Sequence, residues 1–408
     1  MRILIAPDKF KGSLSARQVA ENIALGIHNV IPEAQIEFAP VADGGEGTAE
    51  VICKARGGDW VKCRAHGPFG NPIDACYVWL GENAIAVIEM SEAAGLRALK
   101  KEARDILRAN TFGVGEMLFD AAKRGAHEII VGLGGSVTND GGFGMARALG
   151  FRFFGVQNCR AGASPAGSSI GNRERLPYKS RETDVELIDG PQDLVSLRQI
   201  EVPAAADMSP VTSLKSQPVS ASGGPLQMRI VAACDVKNPL LGETGATRTF
   251  GPQKGATSEQ LEILERALTR LADTVTRELG CDFRNKPGAG AAGGLGFGLM
   301  SFCGAELRPG FDVVAAAVEL EEKIKSADVV ITGEGKLDSQ TLEGKAPAGV
   351  ARLARKFGKR VFAVVGRAAA DQQVREIFEG VYELRGSIPQ ARDLLRERAR
   401  ELGSALKY

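Results

Sequence analysis

The sequence predicts an α/β fold built from open, Rossmann-like units. Three observations predict it. Short apolar runs alternate with amphipathic segments of helical period along most of the chain. Several apolar runs end at glycine or aspartate, where an open parallel sheet places its functional loops. The 408 residues are enough for two or three domains.

The elements follow in order. Residues 2–7 form a first strand that ends at Pro7, and Ser13 or Ser15 can cap the helix after it. In that helix Ala16, Val19, Ile23, Ile27 and Val30 recur at helical spacing. A second strand is expected at 36–41, then a glycine-rich acidic loop and another helix. Further strands are expected at 84–90, 128–133, 228–234, 327–332 and 360–365, and helices at 101–124, 258–280, 343–357 and 388–404. Leu261, Leu264, Leu268, Leu271 and Val275 draw one apolar face on the second of these helices. Residues 155–225 are rich in Ser, Pro, Gly, Arg and Gln, and read as long polar loops with short strands such as 185–188. No internal repeat is evident beyond the strand–glycine–helix theme.

Composition narrows the function. Lys plus Arg number 51 and Asp plus Glu 50, a formal net charge of +1. A protein that binds nucleic acid mainly through phosphates carries a larger basic excess. Hydrophobic residues make up 44%, too many for a largely disordered chain. The 50 glycines have no G-X-Y period, which excludes collagen and leaves their excess to be explained. The 7 cysteines include no CxxC pair and read as reduced thiols. His28, His66 and His127 make no zinc spacing and read as packing or surface residues. No signal region opens the chain, and no run of about 18 uncharged apolar residues could span a bilayer. A cytoplasmic protein, monomeric or homodimeric, with no membrane or nucleic-acid partner is expected.

Six segments could carry chemistry. In Pro7-Asp8-Lys9-Phe10-Lys11-Gly12-Ser13, the lysines suit an anionic substrate and Asp8 suits a metal or a ligand hydroxyl. In Ala42-Asp43-Gly44-Gly45-Glu46-Gly47-Thr48, Asp43 suits a base for a hydroxyl or a magnesium ligand. In GLGGSVTNDGG (132–142), backbone amides at Gly134 and Gly135, with Ser136 and Thr138, offer donors to phosphate. Asn139 and Asp140 there could orient substrate or hold magnesium. No lysine follows these glycines, so this is not the P-loop. Around the middle, Asp235 ends a strand as a candidate metal ligand, and Lys254 could neutralise a phosphate or carboxylate. Near 288, Gly288, Gly290 and Gly293 have the G-x-G-x-x-G spacing beside Gly294, but residues 281–286 make a poor preceding strand. Last, TGEGKLDSQT (332–341) brings Glu334, Lys336, Asp338, Gln340 and Thr341 to the end of a clear strand.

Glycine loops that accept phosphate, strand-end carboxylates that suit Mg²⁺, and lysines for a second anion point together to a phosphotransferase. The sequence resembles the bacterial glycerate kinase family that includes the glycerate 2-kinases. The resemblance rests on APDKFKGSLSA (6–16), ADGGEGT (42–48), GLGGSVTNDGG (132–142), CDVKNPLLG (234–242), FGPQKGA (250–256), PGAGAAGGLGFGL (287–299) and TGEGKLDSQT (332–341), which run the length of the chain. It implies ATP- and Mg²⁺-dependent phosphorylation of D-glycerate, giving 2-phosphoglycerate. It also implies two open α/β domains flanking a cleft, one of them discontinuous. The expected division is 1–95 plus 286–408 for one domain and 96–285 for the other. Family members commonly read PDSFKGS, and here Lys9 stands in the serine position.

The expected site follows. Asp43 is the preferred base or orienting acid, with Asp8 and Asp235 as rivals and Lys11 beside them. Gly134, Gly135, Ser136, Thr138, Lys254, Gly290, Gly293 and Gly294 are expected at the nucleotide phosphates. Lys9, Asn139, Asp140 and Asp338 are expected at the substrate, and Asp235 and Glu334 at the metal. A kinase for another small hydroxy acid, an NAD-dependent oxidoreductase built on Gly288, Gly290 and Gly293, and a non-catalytic ligand-binding protein are the competing readings.

Overall fold

A computed structural model describes residues 1–96, 99–157, 183–203, 228–338, 345–369, 375–385 and 388–407. Gln340, Thr341 and most of the polar stretch 155–225 lie outside them.

Two sheets organise the chain. The first contains β1 (Arg2–Ile5), β2 (Gln35–Phe38), β12 (Val329–Thr332), β14 (Arg360–Val365) and β16 (Gly380–Glu383), in the order β16-β14-β12-β1-β2. Every pairing in it is parallel. The second has the order β11-β10-β6-β5-β4-β3, from β3 (Asp59–His66), β4 (Pro72–Leu80), β5 (Ile85–Glu89), β6 (Glu128–Gly132), β10 (Arg229–Ala233) and β11 (Glu306–Arg308). Its β5, β6, β10 and β11 are parallel, while β3 and β4 form an antiparallel hairpin at one edge. The first sheet is therefore discontinuous in sequence. The boundaries at 95 and 286 cut across sheet membership, because β3–β5 and β11 belong to the second sheet.

Two small sheets complete the strands. Strands β7 (Arg152–Gln157), β8 (Thr183–Glu186) and β9 (Leu197–Glu201) form an antiparallel one, and β13 (Lys336–Leu337) pairs with β15 (Arg367–Ala368).

Helices fill three layers. Outside the first sheet, α1 (Ala16–His28) and α12 (Ala391–Leu406) cover Ile3, Ile5, Val329, Ile331 and Val364 with Val19, Ile23, Leu395 and Leu402. Ser15 starts α1 with a reciprocal capping box to Gln18. Between the sheets lie α2 (Thr48–Arg56), α9 (Gly310–Ala317), α10 (Leu320–Ser326) and α11 (Ala346–Lys356). Their Ile52, Phe311, Ile324 and Val350 share one core with Leu4 and Val330 of the first sheet and Val87, Ile130 and Val231 of the second. The two domains are thus joined by a common apolar layer. Outside the second sheet lie α3 (Ser91–Ala94), α4 (Phe112–Lys123), α5 (Phe143–Ala148), α6 (Ala246–Phe250), α7 (Ser258–Leu279) and α8 (Ala291–Cys303).

The helix expected from 101 begins at Phe112 instead. The reason is tertiary: the Thr111 amide and hydroxyl both donate to the carboxylate of Asp140, 29 residues on, at 2.8 Å, which fixes the chain in a non-helical turn there. Among the described residues no helix is long and apolar enough to cross a membrane.

In the first sheet the chain leaves β1 toward β2 on one side, and later returns as β12 on the other. That switch point puts the loops after β1 and β12 side by side at the carboxyl edge, where open α/β sheets bind ligands. The Asp8 amide donates to Gly333 O at 2.8 Å and the Thr332 hydroxyl to Ala6 O at 2.7 Å, stitching the two loops together.

Candidate active site

The strand-end loops of both sheets converge on one cleft with two adjoining cavities. One, of ≈ 630 Å³, lies over the first sheet and is lined by Asp8, Lys9, Lys11, Asp43, Glu334 and Asp338, among others. The other, of ≈ 380 Å³, lies over the second and is lined by Gly134, Gly135, Ser136, Asp235 and Lys254, with Lys9, Lys11 and Asp43 again in its wall. Asp43 therefore stands where the two cavities meet.

Close backbone contact sets this geometry. A methyl group on Gly134 would lie 2.4 Å from the Gly45 Cα, and one on Gly44 would lie 3.0 Å from the Gly310 Cα. The loop bearing Asp43 thus rests directly on the glycine loop after β6. Gly134→Ala is expected to force these loops apart, costing about 1–3 kcal/mol of stability, the usual range for overpacking. Urea unfolding of the purified variant checks it.

The carboxylates are crowded. Asp8 is buried, and burial first, then the negative charge of Asp43, pushes its carboxyl up to about 8 despite the Lys9 amide at 2.6 Å. Asp235 is pushed up to about 7 by burial and then by Asp43, against hydrogen bonds from the Gly310 and Phe311 amides. Its Oδ2 is buried without a hydrogen-bond partner. Asp338 experiences some upward push from burial, but Lys336 at 3.0 Å and Lys345 at 3.3 Å hold it below the usual carboxylate range.

The Asp8 shift has a measurable consequence. The folded chain keeps a proton there that the unfolded chain releases above about 4, so stability falls as pH rises from about 4 to 8. Asp8→Asn removes this loss. Thermal unfolding is expected to show the variant gaining on the wild type across that window, with the gap smallest near pH 4.

Lys254 is 2% exposed. Its Nζ donates to Ser136 Oγ at 2.9 Å and to Thr138 O at 2.6 Å. Among the described residues no carboxylate lies within ion-pair distance of it. Burial pushes its ammonium down to about 7, with Asp140 opposing. A buried amine with no carboxylate of the described residues in ion-pair range, in a cavity wall beside Gly134 and Gly135, suits an anionic ligand.

Other predicted residues sit elsewhere. Asp140 is fully buried, accepting from the Thr111, Gly142 and Gly144 amides and the Thr111 hydroxyl, so it braces the glycine loop and does not face the cavity. Asn139 is fully buried and donates to the Thr247 hydroxyl. Thr138 is fully buried too, and contributes its backbone carbonyl to Lys254. Gly290, Gly293 and Gly294 pack against backbone: a methyl on each would meet Pro239 O at 2.2 Å, Thr138 O at 2.0 Å and the Gly141 Cα at 2.8 Å. These glycines let α8 approach the loop; their neighbours Ala291 and Ala292 form the cavity wall instead. Residues 281–290 contain no strand, so the G-x-G-x-x-G spacing lacks the context of a dinucleotide fingerprint.

Sequence reasoning missed Lys345 and Arg367, which line the first cavity. Arg367 follows β14 by two residues, so the strand-end rule could have found it. Lys345 comes from the start of α11 and carries no local signal.

The donor set can be tested against a divalent cation. Among the described residues no group of three or more His, Cys, Asp or Glu side chains encloses a metal position. The orphaned Asp235 oxygen and the mutual repulsion of Asp8, Asp43 and Asp235 nevertheless fit Mg²⁺, which is commonly held by one or two carboxylates with phosphates and waters completing the shell.

Known proteins resemble this chain along nearly its whole length. The family model described as "Glycerate kinase family" matches residues 3–188 and 196–407. A glycerate kinase of Bacillus subtilis is 37% identical over 100% of this chain and 98% of its own. A glycerate 2-kinase of Escherichia coli is 39% identical over 91% of this chain and 86% of its own. The crystal structure of a candidate glycerate kinase 2 from Salmonella typhimurium LT2 superposes with a TM-score of 0.79 at 36% identity, covering 100% of this chain and 98% of that one. With its two α/β domains, its cleft and this near-complete match, the chain belongs to the glycerate kinase family.

Proposed function

We propose that the chain transfers the γ-phosphoryl group of ATP to the 2-hydroxyl of D-glycerate, giving 2-phosphoglycerate and ADP. The observation that carries this reading is Asp43 at the junction of a cation-rich cavity and a glycine-loop cavity. The regiochemistry is supported by the similarity to the Escherichia coli glycerate 2-kinase.

In this reading the Gly134 and Gly135 amides, Ser136 and Lys254 bind the ATP phosphates. Lys9 and Lys11, with Lys336, Lys345 and Arg367, bind the glycerate carboxylate. Asp43 accepts the proton of the 2-hydroxyl as its oxygen bonds to the γ-phosphorus and the bond to the ADP oxygen breaks. Asp8 keeps its own proton near neutral pH and orients the hydroxyl. Asp235 would hold Mg²⁺, with Glu334 beside Asp8 as the second candidate. Bound Mg²⁺ supplies positive charge that offsets the phosphoryl oxygens. Lys9 donates to Glu46 O and so ties the first-strand loop to the Asp43 loop. The free thiols of the described cysteines support a cytoplasmic location.

A steady-state assay of ADP formation across D-glycerate, L-glycerate, hydroxypyruvate and related acids tests the substrate. The highest kcat/KM is expected for D-glycerate with Mg-ATP. A higher value for another hydroxy acid would reassign the substrate, and NAD binding without ATP turnover would reverse the reaction class.

A further inference from the structure

Glu89 ends β5 in the second sheet, paired in register with Gly132 at the start of the glycine loop. Its Oε1 accepts from both the Gly47 and Ala49 amides at 2.9 Å. These amides open α2, the helix that follows the Asp43 loop. The cap residue of that helix is Gly47, at φ 93°, which has no side chain to satisfy them. Unpaired first-turn amides are a general cost of helix starts, and here a carboxylate at the end of a strand of the second sheet meets it. Burial pushes the Glu89 carboxyl up, while the two amides and Lys9 pull it down.

The segment after Glu89 grips the glycine loop as well. The Met90 amide donates to Gly132 O at 3.1 Å, Leu96 to Gly135 O at 2.8 Å, and Val137 to Ala94 O at 2.9 Å. One short stretch, 89–96, therefore holds both sides of the cleft: Glu89 holds the loop of Asp43, and its successors hold Gly132, Gly135 and Val137. Nothing in the sequence marks Glu89, since it ends a strand with no glycine beside it.

We infer that Glu89 is a positioning residue for phosphoryl transfer, which fixes the Asp43 loop against the glycine loop through the Gly47 and Ala49 amides. The inference rests on the kinase reading above. Catalysis that depends on placing the acceptor hydroxyl, its base and the phosphoryl group together is sensitive to this distance, and a misplacement of about 1 Å can cost about 10²-fold in rate.

The test compares Glu89→Ala and Glu89→Gln with the wild type. Glu89→Ala is expected to lower kcat about 10²-fold, with KM for ATP and for D-glycerate changed less than about threefold. Glu89→Gln keeps the acceptor oxygen and is expected to restore most of the rate. Hydrogen exchange read at Gly47 and Ala49 is expected to quicken in Glu89→Ala and to stay close to wild type in Glu89→Gln. A raised KM at unchanged kcat, a glutamine variant no faster than the alanine variant, or unaltered exchange at both amides would overturn the inference. If the wild type itself fails to phosphorylate D-glycerate, the kinase reading falls; the exchange measurement still decides whether Glu89 clamps the loop.

Discussion

Asp43→Asn is expected to lower kcat by about 10²–10⁴-fold, the usual contribution of a positioned general base. The asparagine keeps the size of the side chain and an oxygen for the Gly45 amide, which now donates to Asp43 Oδ1 at 3.2 Å. The fold should therefore survive, and KM for ATP should change little because the phosphate-side residues are untouched. A second signature follows from the electrostatics. The Asp43 charge is the second cause, after burial, of the raised carboxyls at Asp8 and Asp235. Removing it should bring both down toward the ordinary range and shrink the loss of stability between pH 4 and 8. A non-catalytic ligand-binding protein would show only the stability change. Turnover and thermal unfolding on the same preparation separate the two.

Lys254→Met is the second large effect. Losing one preorganised donor at a transferring phosphoryl group costs about 10²–10³-fold in rate, and here a full charge goes with it. We expect kcat/KM for ATP to fall by at least that factor. The pH dependence of stability gives an independent check. The wild-type ammonium is pushed from 10.5 to about 7 on folding. Between these values the unfolded chain holds a proton that the folded chain has released, so folded stability rises with pH across the window. The wild type should gain stability relative to Lys254→Met as pH rises from 7 toward 10.5. A flat difference over this range would show that Lys254 does not change its proton on folding. Isothermal titration with ATP at pH 7 should also report proton uptake in the wild type and a smaller uptake in the variant.

The parallel strands are legible because both their faces are buried, so they read as continuous apolar runs such as Val329–Thr332 and Arg360–Val365. Their ends are legible because aspartate and glycine interrupt those runs. The β3–β4 hairpin is harder to see. Its residues alternate between exposed and buried, with Lys62, Arg64 and Asp74 on the open face, and the apolar signal is weak.

In the site, charge type carried over better than side-chain direction. Asp43, Asp8, Lys9 and Asp235 line the cleft because strand-end loops at a carboxyl edge have few other places to point. Asn139 and Asp140 follow Ser136 by only a few residues, yet the loop turns inward there and buries them. A polar residue in a glycine loop looks the same in sequence whether it holds a ligand or holds the loop. The glycines of α8 pose the same problem, since close approach to a phosphate and to another backbone both require a missing Cβ. Arg367 stands two residues past the apolar run of β14, a signal the strand-end rule could use, whereas Lys345 reaches the cavity only through the return of the chain to the first sheet, a long-range event with no local trace.

The most direct measurement is the identity of the product. Purified protein incubated with D-glycerate and Mg-ATP, followed by ³¹P and ¹³C NMR, should show stoichiometric ADP and a phosphoryl group coupled to C2, which is 2-phosphoglycerate. A phosphoryl group on C3, or no transfer to D-glycerate at all, would contradict the account.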